Sequence, residues 1–155
     1  MIIATYVVIL ISVAFIAFYL LKNKGGKSWK EVALAAFISI LWVGFSGIYH
    51  YKGADLVFLG INLFAFVAWT AGLVGLKLAY DHLGKYKYGK AVTIYVLLLL
   101  FLEFFFYNFL GIQLSSNYPG LLGFELMHAP WYSQLYYFVA GPAYLLILIL
   151  IEKKK

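Results

Sequence analysis

Five long apolar runs alternate with short polar breaks along this chain, at about residues 2–21, 29–49, 56–78, 91–111 and 131–151. A run of about 20 apolar residues, coiled as a helix, is long enough to cross the hydrocarbon core of a bilayer. The breaks carry the residues that end helices. The first is Lys22-Asn23-Lys24-Gly25-Gly26-Lys27, with two adjacent glycines. Ser28 and Glu31 follow at capping-box spacing and predict the start of the second span. His50 to Asp55 form a short turn, 80–90 a polar stretch with two glycines, and 112–129 a longer connection leading to Pro130. Proline is tolerated at a helix start because its missing N–H has no partner there. The pattern predicts an all-α fold: a polytopic integral membrane protein in one domain, 1–155, built as a bundle of five transmembrane helices.

The lysines orient the bundle. Lys22, Lys24, Lys27, Lys30, Lys77, Lys85, Lys87, Lys90, Lys153, Lys154 and Lys155 fall on one side of a five-span topology, and Lys52 alone on the other. Basic residues collect on the cytoplasmic side. The N-terminus is therefore expected outside and the C-terminus in the cytoplasm of a multi-pass cell-membrane protein. The first run has its lysines after the apolar stretch and lacks the positive start of a signal peptide, so it reads as a retained span.

Composition narrows the chemistry. The chain is 65% hydrophobic and 12% charged, and it has no cysteine. Disulfides, thiolate metal sites and iron–sulfur ligation are excluded. The net charge of +6 comes from lysines flanking apolar runs, so it reports topology and not nucleic-acid binding. Nucleophile elbows, phosphate loops and metal motifs do not occur, and no internal repeat suggests a transporter.

Small residues predict how the helices meet. Ala65, Ala68, Gly72, Gly75 and Ala79 form a stripe on the third span, with Asn62 at its outer end and Trp69 beside it. Ala36, Ser39, Val43, Ser46 and His50 form a similar stripe on the second. Such stripes allow close backbone approach, so the second and third spans are expected to pack tightly against each other or against the fourth. Gly141-Pro142 interrupts the fifth span and predicts a kink, with the Phe138 carbonyl left seeking a partner. Tyrosines and tryptophans near the span ends fit interface belts, whereas Trp42 and Trp69 lie deeper.

The sharpest functional signal is Glu103. It lies about 20 Å along the helix from Lys90 and about 12 Å from Gly111, near mid-membrane and biased outward. A carboxylate at that depth is costly and marks a site by default. Tyr107 follows one turn later on the same face. Three roles fit Glu103: a neutral hydrogen-bonding group between helices, a ligand contact, or a proton relay. A relay wants a second deep ionisable group, and the apolar runs offer no obvious one. On the outer side stand His50, Asp55, Glu125 and His128. His50 and His128 could join carboxylates at a metal or ligate a haem, but the spacing matches no known metal motif, and no metal or cofactor is expected. The apolar stretch 121–127 within the last connection should fold back over the bundle as a lid or lie in the interface.

Two functions follow as expectations. In one, an outward-facing pocket around Glu103, Tyr107, Asn62, Trp69, His50, Glu125 and His128 binds, or processes, a small hydrophobic or lipid-like molecule. In the other, the chain is a non-catalytic transmembrane subunit of a larger membrane complex. Expected partners are membrane lipids, a hydrophobic small molecule or partner subunits, and not nucleic acid.

Overall fold

The computed structural model describes residues 2–23, 26–52, 56–124 and 126–153. Its architecture is five long helices: α1 (Ile2–Lys22), α2 (Gly26–Ser46), α3 (Leu63–His82), α4 (Lys87–Asn108) and α5 (Trp131–Lys153). All five are long and apolar enough to cross a membrane. Large apolar side chains such as Leu10, Phe18, Phe45, Leu97, Phe101 and Leu150 point outward around the bundle. In water such a surface would aggregate, whereas lipid tails solvate it.

The helix ends differ from the sequence expectation where local chemistry overrides the apolar run. α2 begins at Gly26, two residues ahead of Ser28, and stops at Ser46, just before Gly47 at φ +61°. A left-handed glycine is a common helix stop. The predicted capping box does not form. The Ser28 hydroxyl donates to the carbonyl of Asn23, and Glu31 turns toward Tyr19 and Lys77. α3 begins at Leu63, because the residues before it make a small antiparallel hairpin, β1 (Val57–Phe58) with β2 (Ile61–Asn62). Leu59 and Gly60 turn the hairpin at φ 50° and 78°, the doubly positive geometry of a two-residue loop. Asn62 then caps α3, its side chain accepting from the Ala65 N–H at 3.1 Å.

α3 is the hub. It is the most buried of the five helices and meets each of the other four. α2 lies along it, with Ala35, Ser39 and Val43 buried. α1 and α4 each pack on α3 and make almost no contact with one another. The second and third spans do pack on each other as expected, but the third-span stripe is left partly uncovered. No helix closes over the whole of Ala65, Ala68, Gly72, Gly75 and Ala79, and the stripe instead lines a cavity.

α5 meets α4 through a close aromatic contact. A Cβ on Gly141 would come within 2.7 Å of the Tyr95 ring, so only glycine lets the ring lie against the helix. The Tyr95 hydroxyl donates to the Tyr137 carbonyl at 2.7 Å, one residue before the carbonyl that Pro142 frees. Tyr88 reaches the Pro142 carbonyl at 3.4 Å. α4 thus supplies polar partners to the interrupted stretch of α5.

The two connections at the end opposite most lysines pair with each other. Tyr51 bridges Leu114, the Lys52 N–H donates to Gln113 at 2.9 Å, and the Ser115 N–H donates to His50 at 2.6 Å. The stretch after it does fold back over the bundle. Met127 and Ala129 are buried in a cluster with Val43, Ile48, Tyr49, Ala65 and Tyr137. Gln134 fastens this turn, donating to the carbonyls of Ala129 at 2.8 Å and Met127 at 3.3 Å. Gly120 lets the turn close: a Cβ there would collide with the Phe124 carbonyl.

Candidate functional site

The gap between α1 and α4 is a cavity of about 490 Å³. Its floor is the α3 stripe, Ala65 through Ala79. Phe15 of α1 forms one wall. Residues of α4 form the other, including Ile94, Leu98, Leu99, Leu102, Glu103 and Phe106. Their three- and four-residue spacing is that of one helix face. Ile94, Leu98 and Leu102 both line the cavity and are 40%, 50% and 38% exposed, so they form a lip open at the side of the bundle. Tyr49, Tyr51, Phe64 and Ile112 close the end nearest the paired connections.

Among the described residues Glu103 is the only acidic or basic side chain in this lining. It is half-buried, and among the described residues none donates a hydrogen bond to it. The other polar groups at its end of the cavity are engaged. The Tyr49 hydroxyl accepts from the indole of Trp42 at 2.7 Å and of Trp69 at 3.0 Å, and donates to Tyr137 at 3.4 Å. Trp42 stacks on Tyr136 with ring centroids 3.7 Å apart, and Trp69 meets Tyr136 edge-on. This aromatic block holds Trp69 rigidly against the cavity. Glu103 is left as a carboxyl group facing apolar walls, with hydrogen-bonding capacity that no described residue uses.

The residues expected around Glu103 divide. Trp69 shares its cavity. Tyr107 does not; it stacks on His128 at 3.8 Å, with the rings 10° from parallel. Asn62 is committed to capping α3. His50 is exposed, its carbonyl held by Ser115. Glu125 and Asp55 lie outside the described residues. Stretch 121–127 covers the bundle end beside α2 and α5, not the cavity. Among the described residues, no group of three His, Asp or Glu side chains is placed to hold a metal ion. Tyr49, Tyr51 and Phe15 belong to the cavity but carry no sequence signal beyond being aromatic.

A second polar centre lies at the lysine-rich end, near the helix ends and away from the middle of the spans. Lys77 of α3 is 1% exposed and Glu31 of α2 is 4% exposed. The Lys77 ammonium lies 2.6 Å from both Asp81 carboxylate oxygens, 3.2 Å from Glu31 and 3.6 Å from Glu152 of α5. Tyr19 of α1 donates to the other Glu31 oxygen, Tyr144 of α5 to the Glu31 carbonyl at 3.1 Å, and Lys27 pairs with Glu152 at 3.1 Å. The i,i+4 spacing of Lys77 and Asp81 is the sequence signal that identifies part of this network. Every charge in it has a counter-charge, which makes it a clasp for α1, α2, α3 and α5. It shares no residue with the cavity lining.

Comparison with protein-family models, with curated proteins and with solved structures found no match.

Proposed function

We propose that this chain is a multi-pass cell-membrane protein, N-terminus outside and C-terminus cytoplasmic, whose intramembrane pocket binds a small hydrophobic or lipid-like molecule at Glu103. The observation that carries the reading is a carboxyl group without a hydrogen-bond donor among the described residues, lining an apolar cavity of about 490 Å³. Ligand pockets typically measure about 300–1,000 Å³ and combine apolar walls with a few polar groups that fix orientation. A carboxyl group in such a wall is costly unless something meets it, and a bound molecule would. The lip of Ile94, Leu98 and Leu102 supports lateral entry from the bilayer. The lysine asymmetry supports the orientation, because ten of the twelve lysines in the chain, Lys77 aside, still flank one side against Lys52 on the other.

The test is purification in mild detergent followed by lipid extraction and mass spectrometry. Wild-type protein should carry a bound hydrophobic molecule, and Glu103→Gln should reduce its occupancy about tenfold, the loss for a hydrogen bond to a charged group. The Gln variant should remain folded, since the carboxyl group has no hydrogen-bond partner among the described residues. A wild-type protein free of any such molecule, or equal occupancy in the variant, refutes the reading.

A further inference from the structure

We infer that the pocket takes a single-chain amphiphile whose head group donates hydrogen bonds and carries no negative charge, such as a long-chain alcohol or amine. The inference rests on the pocket reading above and adds the class of occupant. Three observations carry it.

The first is shape. The floor runs from Ala65 to Ala79, fourteen residues of α3 or about 21 Å of helix. A volume of about 490 Å³ laid along that length gives the cavity the proportions of a long slot, which takes an extended alkyl chain lengthwise. The smooth floor of alanine and glycine, walled by Phe15 and the α4 leucines, makes a slot parallel to the helices. A chain lying in it runs in the same direction as the tails of the surrounding lipid.

The second is charge. Among the described residues no Lys, Arg or His lines the cavity, so a carboxylate or phosphate head would find no counter-ion among them. Such a head would instead meet Glu103. An ammonium head pairs with the carboxylate, and a hydroxyl head donates to it, whether or not Glu103 is ionised.

The third is the direction of the vacancy. Tyr49 already accepts from two indoles and donates to Tyr137, so it has no donor left for a ligand. The Glu103 oxygens are acceptors without a donor among the described residues. The head group therefore sits at Glu103, and the chain extends along Ala68, Gly72 and Gly75 toward Ala79.

The experiment measures binding of oleyl alcohol, oleylamine and oleic acid to the full-length protein in nanodiscs, by native mass spectrometry and by the shift in thermal unfolding. The alcohol and the amine should bind, and the acid at least tenfold more weakly at neutral pH. Gly72→Leu should abolish binding of both. A Cβ at Gly72 meets nothing within 4 Å, so the leucine fills the slot without forcing the backbone apart. Glu103→Gln is the second variant and should weaken the amine more than the alcohol, since it removes charge but keeps an acceptor. Equal binding of the acid, or binding that survives Gly72→Leu in a monodisperse protein, overturns the assignment of head and slot. If none of the three probes binds while a two-chain lipid co-purifies, the class is wrong and the pocket reading stands. If nothing binds and nothing co-purifies, both fail.

Discussion

At the scale of single residues, Lys77 and Glu103 show two fates of an ionisable group in an apolar helix: one paired, the other with no hydrogen-bond donor among the described residues. Both carry ionisable groups inside apolar helices. Lys77 is surrounded by Glu31, Asp81 and Glu152. Desolvating so many charges makes the cluster a weak net stabiliser, but removing one partner strands the rest. Lys77→Met should therefore destabilise the fold by about 3–5 kcal/mol, read from unfolding in mixed micelles. Adding Glu31→Leu to Lys77→Met should recover part of that loss, and strict additivity of the two would argue against the network. Gly141 offers a steric counterpart. Gly141→Ala pushes a methyl group into the Tyr95 ring and should cost about 1–3 kcal/mol. The same substitution in a Tyr95→Leu background should cost far less, and an unchanged cost would mean that the ring is not what glycine accommodates. Glu103 was visible in the sequence because it stands alone in an apolar run. Lys77 was not, because a lysine three residues before a polar break looks like a solvated end. Its burial depends on where Glu31 and Glu152 arrive from distant parts of the chain.

At the scale of elements, the helices were readable and their neighbours were not. Apolar run length identifies a span because each span satisfies its own backbone hydrogen bonds, whatever lies beside it. The hairpin before α3 escaped detection for a related reason. Val57-Phe58-Leu59-Gly60-Ile61-Asn62 is as apolar as a helix, and its turn places a leucine, not asparagine, at the first positive-φ position. The α3 stripe is the instructive case. Small residues permit close approach, but they do not say whether a helix or a ligand makes that approach. Here α1 and α4 stand apart on α3, and the stripe between them becomes the floor of a slot. The same contacts explain why Asn62 and Tyr107 were misplaced. One is taken by a helix cap and the other by a stacked histidine, and neither assignment follows from position along a span.

At the scale of the whole molecule, the bundle has two differently built ends. Ion pairs clasp α2, α3 and α5 at the lysine-rich end, and the Tyr19 hydroxyl ties in α1. At the opposite end, Tyr49, Trp42, Trp69, Tyr136 and Tyr137 stack and hydrogen-bond beside the closed end of the cavity. The proposed orientation puts this aromatic end outside. With no native cysteine in the chain, single-cysteine labelling tests it directly. Asn117→Cys should react with a membrane-impermeant maleimide in intact cells, and Lys85→Cys only after permeabilisation. The reverse pattern would invert the topology and place the Glu103 end of the pocket toward the cytoplasm.

The clasp also bears on how the chain enters the membrane. Tyr19, Glu31, Lys77 and Asp81 all lie in α1, α2 and α3, so they are synthesised before α4 begins at Lys87. A nascent three-helix unit can therefore neutralise its buried lysine without waiting for the rest of the protein. Glu103 arrives later, on the least buried helix, with no donor among the described residues waiting for it. On insertion scales a central acidic residue costs about 2.5–3.5 kcal/mol, while each leucine or phenylalanine returns about 0.3–0.6. The dense Leu and Phe content of α4 offsets that cost, so the helix can enter a bilayer with its carboxyl group. The aromatic, leucine-rich wall of the slot and the capacity to insert a lone acid are two uses of the same residues.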